Sequence, residues 1–244
     1  TIDRKTYYDY PRAYKMIDEL QPQAVIFSDG GPGCRWVGNE NGFAGATNWS
    51  FLRAGEVYPG YPKYRELQYG HADGNQWVAA ECDVSIRPGW FYHPEEDDKV
   101  KTVDQLTDLY YRSVGHNATL LLNFPVDRNG LIHPTDSLNA VSFHQRVQKE
   151  LADNLLSSAK VSASDERGGQ FKVRGVTDGK YDTYWATNDG VTTADLTFTF
   201  SQPTKMNRVM IQEYIPLGQR VKSFVVEYKK GDQWLSVKCN EETT

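Results

Sequence analysis

The chain has 244 residues and a formal net charge of -5, and 24% of its residues are charged. This length accommodates one large domain or two medium ones, and the acidic balance argues against a nucleic-acid binder, which needs a basic surface. No apolar run approaches the roughly 20 residues that span a bilayer, so we expect no membrane span. Aromatic residues make up 13% of the chain, which suits either sugar binding through flat side chains or aromatic packing in a β-rich core.

Hydrophobic patterning up to residue 155 predicts alternating strands and helices. The predicted elements are, in chain order, a helix over 10–21, a strand over 24–27 buried on both faces, a long loop over 34–76, a strand over 77–84, a helix over 102–114 capped by Thr102, a strand over 118–124 and a helix over 135–153. Apolar strands followed by polar loops and helices are typical of a parallel (β/α) barrel. Because a complete eight-fold barrel takes roughly 250 residues, residues 1–155 would form about half of one. We therefore expect the chain to be a piece of a longer polypeptide.

The remaining residues, 156–244, change to a period of two. Leu196–Phe200 alternates cleanly between apolar and polar residues, and Phe224–Tyr228 does so more loosely, while Gly, Asp and Asn turns separate the short strands. This pattern predicts a β-sandwich. It ends soon after a strand, so we expect the sandwich to be incomplete at its C-terminal end.

Two clusters of polar and aromatic residues follow predicted strands. In the first, Arg35, Trp36 and Glu40 lie within six residues. An aromatic wall can desolvate a carboxylic acid and raise its pKa, as a general acid requires. The alternative is a surface glutamate in a turn.

In the second cluster, Glu81 and Asp83 share one face of a strand and precede Arg87 and Trp90. The second cluster suits a sugar pocket with a stacking tryptophan, or an Arg87 ion pair that positions the loop.

Several long motifs in these regions resemble one enzyme family. Val25–Pro32, Arg35–Glu40, Glu81–Phe91 and Leu120–Asp127 are similar, in this order, to segments of the α-L-fucosidases of glycoside hydrolase family 29, and closest to the bacterial subgroup acting on α-1,3/1,4-linked fucose. The resemblance spans about residues 7–150 and implies the C-terminal half of a (β/α)8-like catalytic barrel. The region from about residue 160 resembles a discoidin-like sandwich of the coagulation factor 5/8 type C kind, on the strength of Val176–Gly179, Tyr184–Thr187 and Val221–Tyr228.

The resemblance implies a retaining exo-α-L-fucosidase that releases terminal α-1,3/1,4-linked fucose from oligosaccharides without a cofactor. By motif match Glu40 is the acid/base, and Glu81 is the competing candidate. The Asp nucleophile belongs to a motif upstream of this chain, so the N-terminal remainder of the polypeptide would complete the site. The residues expected to contact substrate are Arg35, Trp36, Trp49, Glu56 and Trp90. For Trp49 and Glu56, packing of the long loop is the alternative.

The family resemblance also implies a location and a possible ion. Such enzymes act in the periplasm or outside the cell, although no signal for either occurs in this chain. Asp178 and Asp182 flank a glycine turn, where discoidin-like modules often hold a structural calcium ion, and an Asx turn would explain the same residues. The alternative function on this scaffold is a carbohydrate-binding protein that has lost catalysis.

Overall fold

The computed structural model describes residues 3–237. Its helices are α1 (Arg4–Tyr7), α2 (Tyr10–Leu20), α3 (Val103–Ser113) and α4 (Pro134–Glu150). Its strands are β1 (Phe27–Ser28), β2 (Cys34–Trp36), β3 (Phe51–Leu52), β4 (Gln76–Trp77), β5 (Ala79–Ser85), β6 (Ala118–Asn123), β7 (Lys160–Ala163), β8 (Leu196–Thr199), β9 (Glu227–Lys230) and β10 (Gln233–Ser236). Short 3-10 segments cover Tyr64–Gln68, Pro94–Glu96, Val114–His116, Leu155–Ser158, Val173–Val176 and Ile215–Leu217.

A parallel sheet of four strands organises the first part of the chain, in the order β1-β2-β5-β6. The longest ladder joins β5 to β6 over six residue pairs and ends at Ser85 opposite Asn123. Alternate residues of β5 are fully buried because one face of this strand packs in the interior. A core cluster then joins the sheet to α3 through Val84, Ile86, Val100, Leu106 and Leu109. The parallel α/β arrangement predicted for this region is confirmed.

The segment predicted as a continuous loop over 34–76 contains strands. β2 pairs with β1 on one side and β5 on the other, and β3 forms a small antiparallel pair with β4, which begins at the last residue of this segment. The prediction of an unbroken loop was therefore wrong. A three-residue strand centred on the buried Arg35 carries no apolar run, so hydrophobic patterning does not detect it.

The first predicted strand is shorter and more exposed than expected. β1 covers Phe27 and Ser28 only, and the side chains of Val25 and Phe27 are 73% and 45% exposed. The expectation that 24–27 is buried on both faces was wrong for the described structure. β1 is the outer strand of the four, so nothing in this sheet covers its far side.

The predicted helices hold to within a few residues, and their caps explain why. Asp9 caps α2 by accepting a hydrogen bond from the Arg12 N–H. Thr102 and Gln105 form a reciprocal capping box at the start of α3, which satisfies two backbone N–H groups that the helix leaves unpaired. No helix among residues 3–237 is long and apolar enough to cross a membrane.

The structure divides into two compact units, each described by itself. The first runs up to Val147 and includes the segment from Lys222, whose β9–β10 hairpin is antiparallel. The second, Gln148–Val221, contains the antiparallel pair β7–β8. The strand predicted near 224–228 lies at Glu227–Lys230, because Tyr228 pairs with Leu235 while Val226 only accepts one hydrogen bond from the Val237 N–H. The domain boundary near residue 155 stays a prediction.

Candidate active site

Carboxylates of β5 and of the loop after β2 lie towards the C-terminal edge of the parallel sheet. Trp36 ends β2 opposite Glu81 of β5, and Glu81, Asp83 and Ser85 alternate along β5, so they lie on one face of the strand. Glu40 follows β2 by four residues. Loops at this edge of a parallel sheet are where α/β enzymes place their reacting groups.

Asp83 is half-buried and bonded to a tryptophan. The Trp36 indole Nε1 donates to Asp83 Oδ1 at 2.8 Å. Burial raises the pKa of Asp83 because it disfavours the charged form, the Trp36 hydrogen bond opposes this rise, and the negative charges of Glu40 and Glu81 add to it. Asp83 is thus a carboxylate with a neutral donor and two acidic neighbours.

Glu40 lies on the surface of this edge and is held by a second tryptophan. The Trp90 Nε1 donates to Glu40 Oε2 at 2.9 Å across 50 residues of sequence. The exposed carboxylate is open to a substrate, and its partner belongs to the loop that follows β5. The structure therefore brings together two residues that the sequence predicted separately.

Glu81 is less accessible than Glu40. Its Oε2 accepts a weak hydrogen bond from Cys34 Sγ at 3.5 Å, and its Oε1 is buried with no hydrogen-bond partner among residues 3–237. Burial, with the neighbouring Glu81 charge, raises the pKa of the Cys34 thiol to about 11, so this cysteine is a neutral thiol at pH 7. Cys34 and Cys82 are both free cysteines.

Arg35 lies inside the protein, away from the surface of the edge. Its guanidinium donates to the Leu67 carbonyl at 3.0 Å, the Val78 carbonyl at 2.6 Å and Asn48 Oδ1 at 2.6 Å, and the residue has 0% exposure. Burial lowers its pKa to about 10. This geometry does not support the direct substrate contact expected of Arg35. The side chain instead links β2 by hydrogen bonds to residues that follow it in the chain.

Arg87 holds the loop that carries Trp90. It makes a two-pronged ion pair with Asp136 of α4 at 2.8 and 2.9 Å, and its Nη1 lies 2.9 Å from Asp97 Oδ1. The Tyr92 ring lies 4.7 Å below the guanidinium carbon. The interpretation of Arg87 as an ion pair that positions the loop is therefore confirmed.

The remaining predicted site residues have local partners. Trp36 stacks on Tyr64 with ring centroids 6.5 Å apart, the Trp49 backbone N–H donates to the Tyr69 carbonyl at 2.8 Å, and exposed Glu56 lies 3.8 Å from Arg53. Contact of Trp36, Trp49 and Glu56 with a sugar stays a prediction.

The turn at Asp178 has the geometry of an Asx turn. Asp178 Oδ1 accepts from the Lys180 N–H at 3.0 Å, and the Thr183 hydroxyl donates to the same carboxylate. Asp182 is exposed. No group of three or more His, Cys, Asp or Glu side chains able to hold a metal occurs in the described part of the chain. A calcium ion held near Asp178 and Asp182 stays a prediction.

Sequence reasoning missed two residues of this edge. The alternation along β5 places Asp83 on the same face as Glu81, but the sequence pattern indicates no separate role for it. Asn123, the last residue of β6, donates to the Trp90 carbonyl and to Ser85 Oγ, both at 3.1 Å. No motif spacing indicates that contact, because it depends on the β5–β6 register.

Known proteins resemble both parts of the chain. Residues 159–244 match the model of the F5/8 type C domain. The α-L-fucosidase 1 of Arabidopsis thaliana is 39% identical over 231 residues, which cover 91% of this chain and 44% of that protein.

Solved structures agree with these matches. A glycoside hydrolase 29 family member from an unknown rumen bacterium has a TM-score of 0.79 and 40% identity, covering 98% of this chain and 38% of its own. A Ruminococcus gnavus GH29 fucosidase in complex with fucose has a TM-score of 0.84 and 30% identity, covering 96% of this chain and 50% of its own. The chain thus spans about half the length of the relatives it matches. It is a homologue of the α-L-fucosidases of glycoside hydrolase family 29, whose catalytic-domain fold it shares in part, and it carries an F5/8 type C, discoidin-like domain.

Proposed function

We propose that this chain supplies the acid/base half of a retaining exo-α-L-fucosidase. The observation that carries the proposal is the exposed Glu40 carboxylate at the C-terminal edge of the parallel sheet, fixed by the Trp90 indole 2.9 Å away. Relatives named as fucosidases, one of them bound to fucose, support fucose as the sugar released. Terminal α-1,3/1,4 linkages, an Asp nucleophile preceding Thr1 and a periplasmic or extracellular place of action are parts of the proposal that rest on the motif resemblance.

The proposed reaction proceeds by two displacements. The Asp carboxylate attacks the anomeric carbon of fucose while protonated Glu40 gives its proton to the glycosidic oxygen, whose bond to that carbon breaks. The fucosyl ester then reacts with a water molecule, which ionised Glu40 deprotonates as it attacks the same carbon. The ester bond breaks, the Asp carboxylate is released, and the product is α-L-fucose with Glu40 protonated again. No cofactor takes part in this scheme.

Accessibility supports Glu40 over Glu81 for this role. An acid/base residue must reach the glycosidic oxygen within hydrogen-bond distance, and Glu40 is exposed. Glu81 is half-buried, with one carboxylate oxygen against Cys34 and the other enclosed. The Glu81 carboxylate therefore suits a structural role in the interior next to Asp83 better than direct contact with the glycosidic oxygen.

The test is the Glu40→Ala variant in the polypeptide that includes the sequence before Thr1. We expect kcat/KM on a fucosyl oligosaccharide to fall by about 100-fold or more, because general acid-base catalysis contributes that much or more. Added azide should restore turnover of an activated aryl fucoside and yield α-fucosyl azide, since azide replaces water in the second displacement. Glu19→Ala, on an exposed glutamate of α2, is the matched control.

Two results would contradict the proposal. Normal activity of Glu40→Ala, combined with loss and azide rescue in Glu81→Ala, would transfer the role to Glu81. A polypeptide that binds fucose but hydrolyses no fucoside would favour the carbohydrate-binding alternative.

A further inference from the structure

Trp90 contacts Glu40 through its N–H group, and this contact differs from the stacking role expected of it. The indole Nε1 is a hydrogen-bond donor only, and it donates to Glu40 Oε2 at 2.9 Å. With one oxygen held in this way, the rotation of the exposed carboxylate is restricted and the other oxygen has a defined direction. An exposed glutamate without such a partner would sample several rotamers.

Trp90 is itself held by the ends of β5 and β6. Asn123 Nδ2 donates to the Trp90 carbonyl and to Ser85 Oγ, both at 3.1 Å, while the Ile86 N–H donates to the Asn123 carbonyl at 3.0 Å. Ser85 and Asn123 are paired residues at the ends of β5 and β6. A continuous set of hydrogen bonds therefore runs from the sheet edge through Asn123 and Trp90 to Glu40.

We propose that Trp90 is a positioning residue for the general acid, with Asn123 as its support, and that its N–H group carries this role. The inference rests on the proposed acid/base function of Glu40. Holding a reacting group in its productive geometry lowers the barrier because the cost of ordering it is met before the reaction. In the first displacement, which kcat/KM reports, the effect should appear only when the leaving group needs a proton.

The test compares leaving groups in the Trp90→Phe variant, again in the polypeptide that includes the sequence before Thr1. Phenylalanine keeps an aromatic face and removes the donor. On a fucosyl disaccharide, whose leaving group is poor, kcat/KM should fall about 10- to 100-fold, a part of what the acid itself contributes. On an activated aryl fucoside, whose leaving group departs as a stable anion, the fall should stay below about 3-fold. The ratio kcat/KM is the quantity to compare because it reports the first displacement.

Control variants separate this role from stacking and from misfolding. Trp77→Phe makes the same change on β4, where the ring packs edge-on against Phe51, and should leave both substrates unaffected. Asn123→Ala should show the Trp90→Phe pattern at smaller size, so the proposal stays testable if Trp90→Phe does not fold.

The outcomes are distinct. An equal loss on both substrates, or a change confined to KM, would overturn the positioning role and leave Trp90 as a stacking wall. If Glu40→Ala also retains full activity, the proposed function itself fails. If Glu40→Ala is inactive while Trp90→Phe loses activity equally on all substrates, only the positioning role fails.

Discussion

Two arginines are buried in the first unit, and their surroundings are opposite. Among residues 3–237, the acceptors of Arg35 on β2 are all neutral, namely two backbone carbonyls and the Asn48 amide oxygen. Arg87, in the loop after β5, faces the carboxylates of Asp136 and Asp97. Burial lowers the pKa of Arg35 to about 10, whereas the hydrogen bond and charge of Asp136 raise the pKa of Arg87.

The difference shows where this fold compensates its charges. The loop that carries Trp90 is fixed by a fully paired cation. At the neighbouring edge of the sheet, charged side chains have neutral partners instead. Asp83 accepts a hydrogen bond from the neutral Trp36 indole, just as Arg35 donates to neutral oxygens. Of the two groups without an opposite charge, Arg35 is enclosed, whereas half-buried Asp83 lies at the sheet edge and has a raised pKa, as groups at functional sites often have.

Breaking the Arg87 pair should have the largest effect on stability. Asp136→Ala leaves a buried guanidinium without its two-pronged partner, and removal of one member of a buried pair costs about 3–5 kcal/mol. Urea denaturation would measure the loss in free energy of unfolding. The double variant Arg87→Met with Asp136→Leu should recover much of it, because well-packed apolar residues often replace a buried pair at little cost. A double variant as unstable as the single one would show that the pair does more than balance charge.

Removing Arg35 should cost less. Arg35→Met removes the donor from three acceptors, at about 1–3 kcal/mol for each one that stays unsatisfied. This loss is offset because the substitution also removes a buried charge without a carboxylate partner, whose desolvation costs several kcal/mol. We therefore expect a smaller net loss of unfolding free energy than for Asp136→Ala under the same urea conditions. If Arg35→Met proves the more damaging change, the contrast between the two arginines is not one of charge pairing.

The smallest effect is expected from Asp83→Asn, and it should depend on pH. A carboxyl whose pKa is raised by folding binds its proton more tightly in the folded chain, so its contribution to stability declines as pH rises through the folded pKa. Asparagine keeps an acceptor for Trp36 and cannot ionise. The stability of Asp83→Asn relative to the unsubstituted chain should therefore increase from about pH 4 to about pH 7, as measured by urea denaturation at each pH. A difference independent of pH would show that Asp83 does not titrate abnormally.

Sequence alone predicts β5 and β6 because their apolar residues follow strand patterns, and it predicts the helices because they carry their caps locally. β6 comes from a near-continuous hydrophobic run, and β5 from apolar residues that alternate with acidic ones. α3 comes from the Thr102 cap and the spacing of Leu106 and Leu109. Hydrophobic patterning does not detect β2 because its middle residue is a buried arginine. The N–H groups of this arginine donate hydrogen bonds to oxygens far along the chain. Local pattern carries no trace of such contacts.

The site divides in the same way. The motif resemblance selects Glu40, Glu81 and Trp90, and alternation along β5 places Glu81 beside Asp83. The Trp90–Glu40 hydrogen bond joins residues 50 positions apart, and the Asn123–Trp90 contact depends on strand register. Both follow from tertiary geometry, so neither could be deduced from spacing.

Asn48, which accepts a hydrogen bond from Arg35, also affects the choice of host for producing the chain. Asn48 and Asn117 each begin an Asn-X-Ser/Thr sequence, the acceptor pattern for N-glycosylation. Asn48, 1% exposed, donates from its amide nitrogen to the carbonyls of His116 and Asn117, and the Asn117 amide donates back to the Asn48 carbonyl and to Ser50. A glycan on the Asn48 nitrogen would disrupt its hydrogen bonds and place a bulky group where the interior has no room for it. Production in a eukaryotic secretory host would therefore set glycosylation against folding, and a bacterial host avoids that competition.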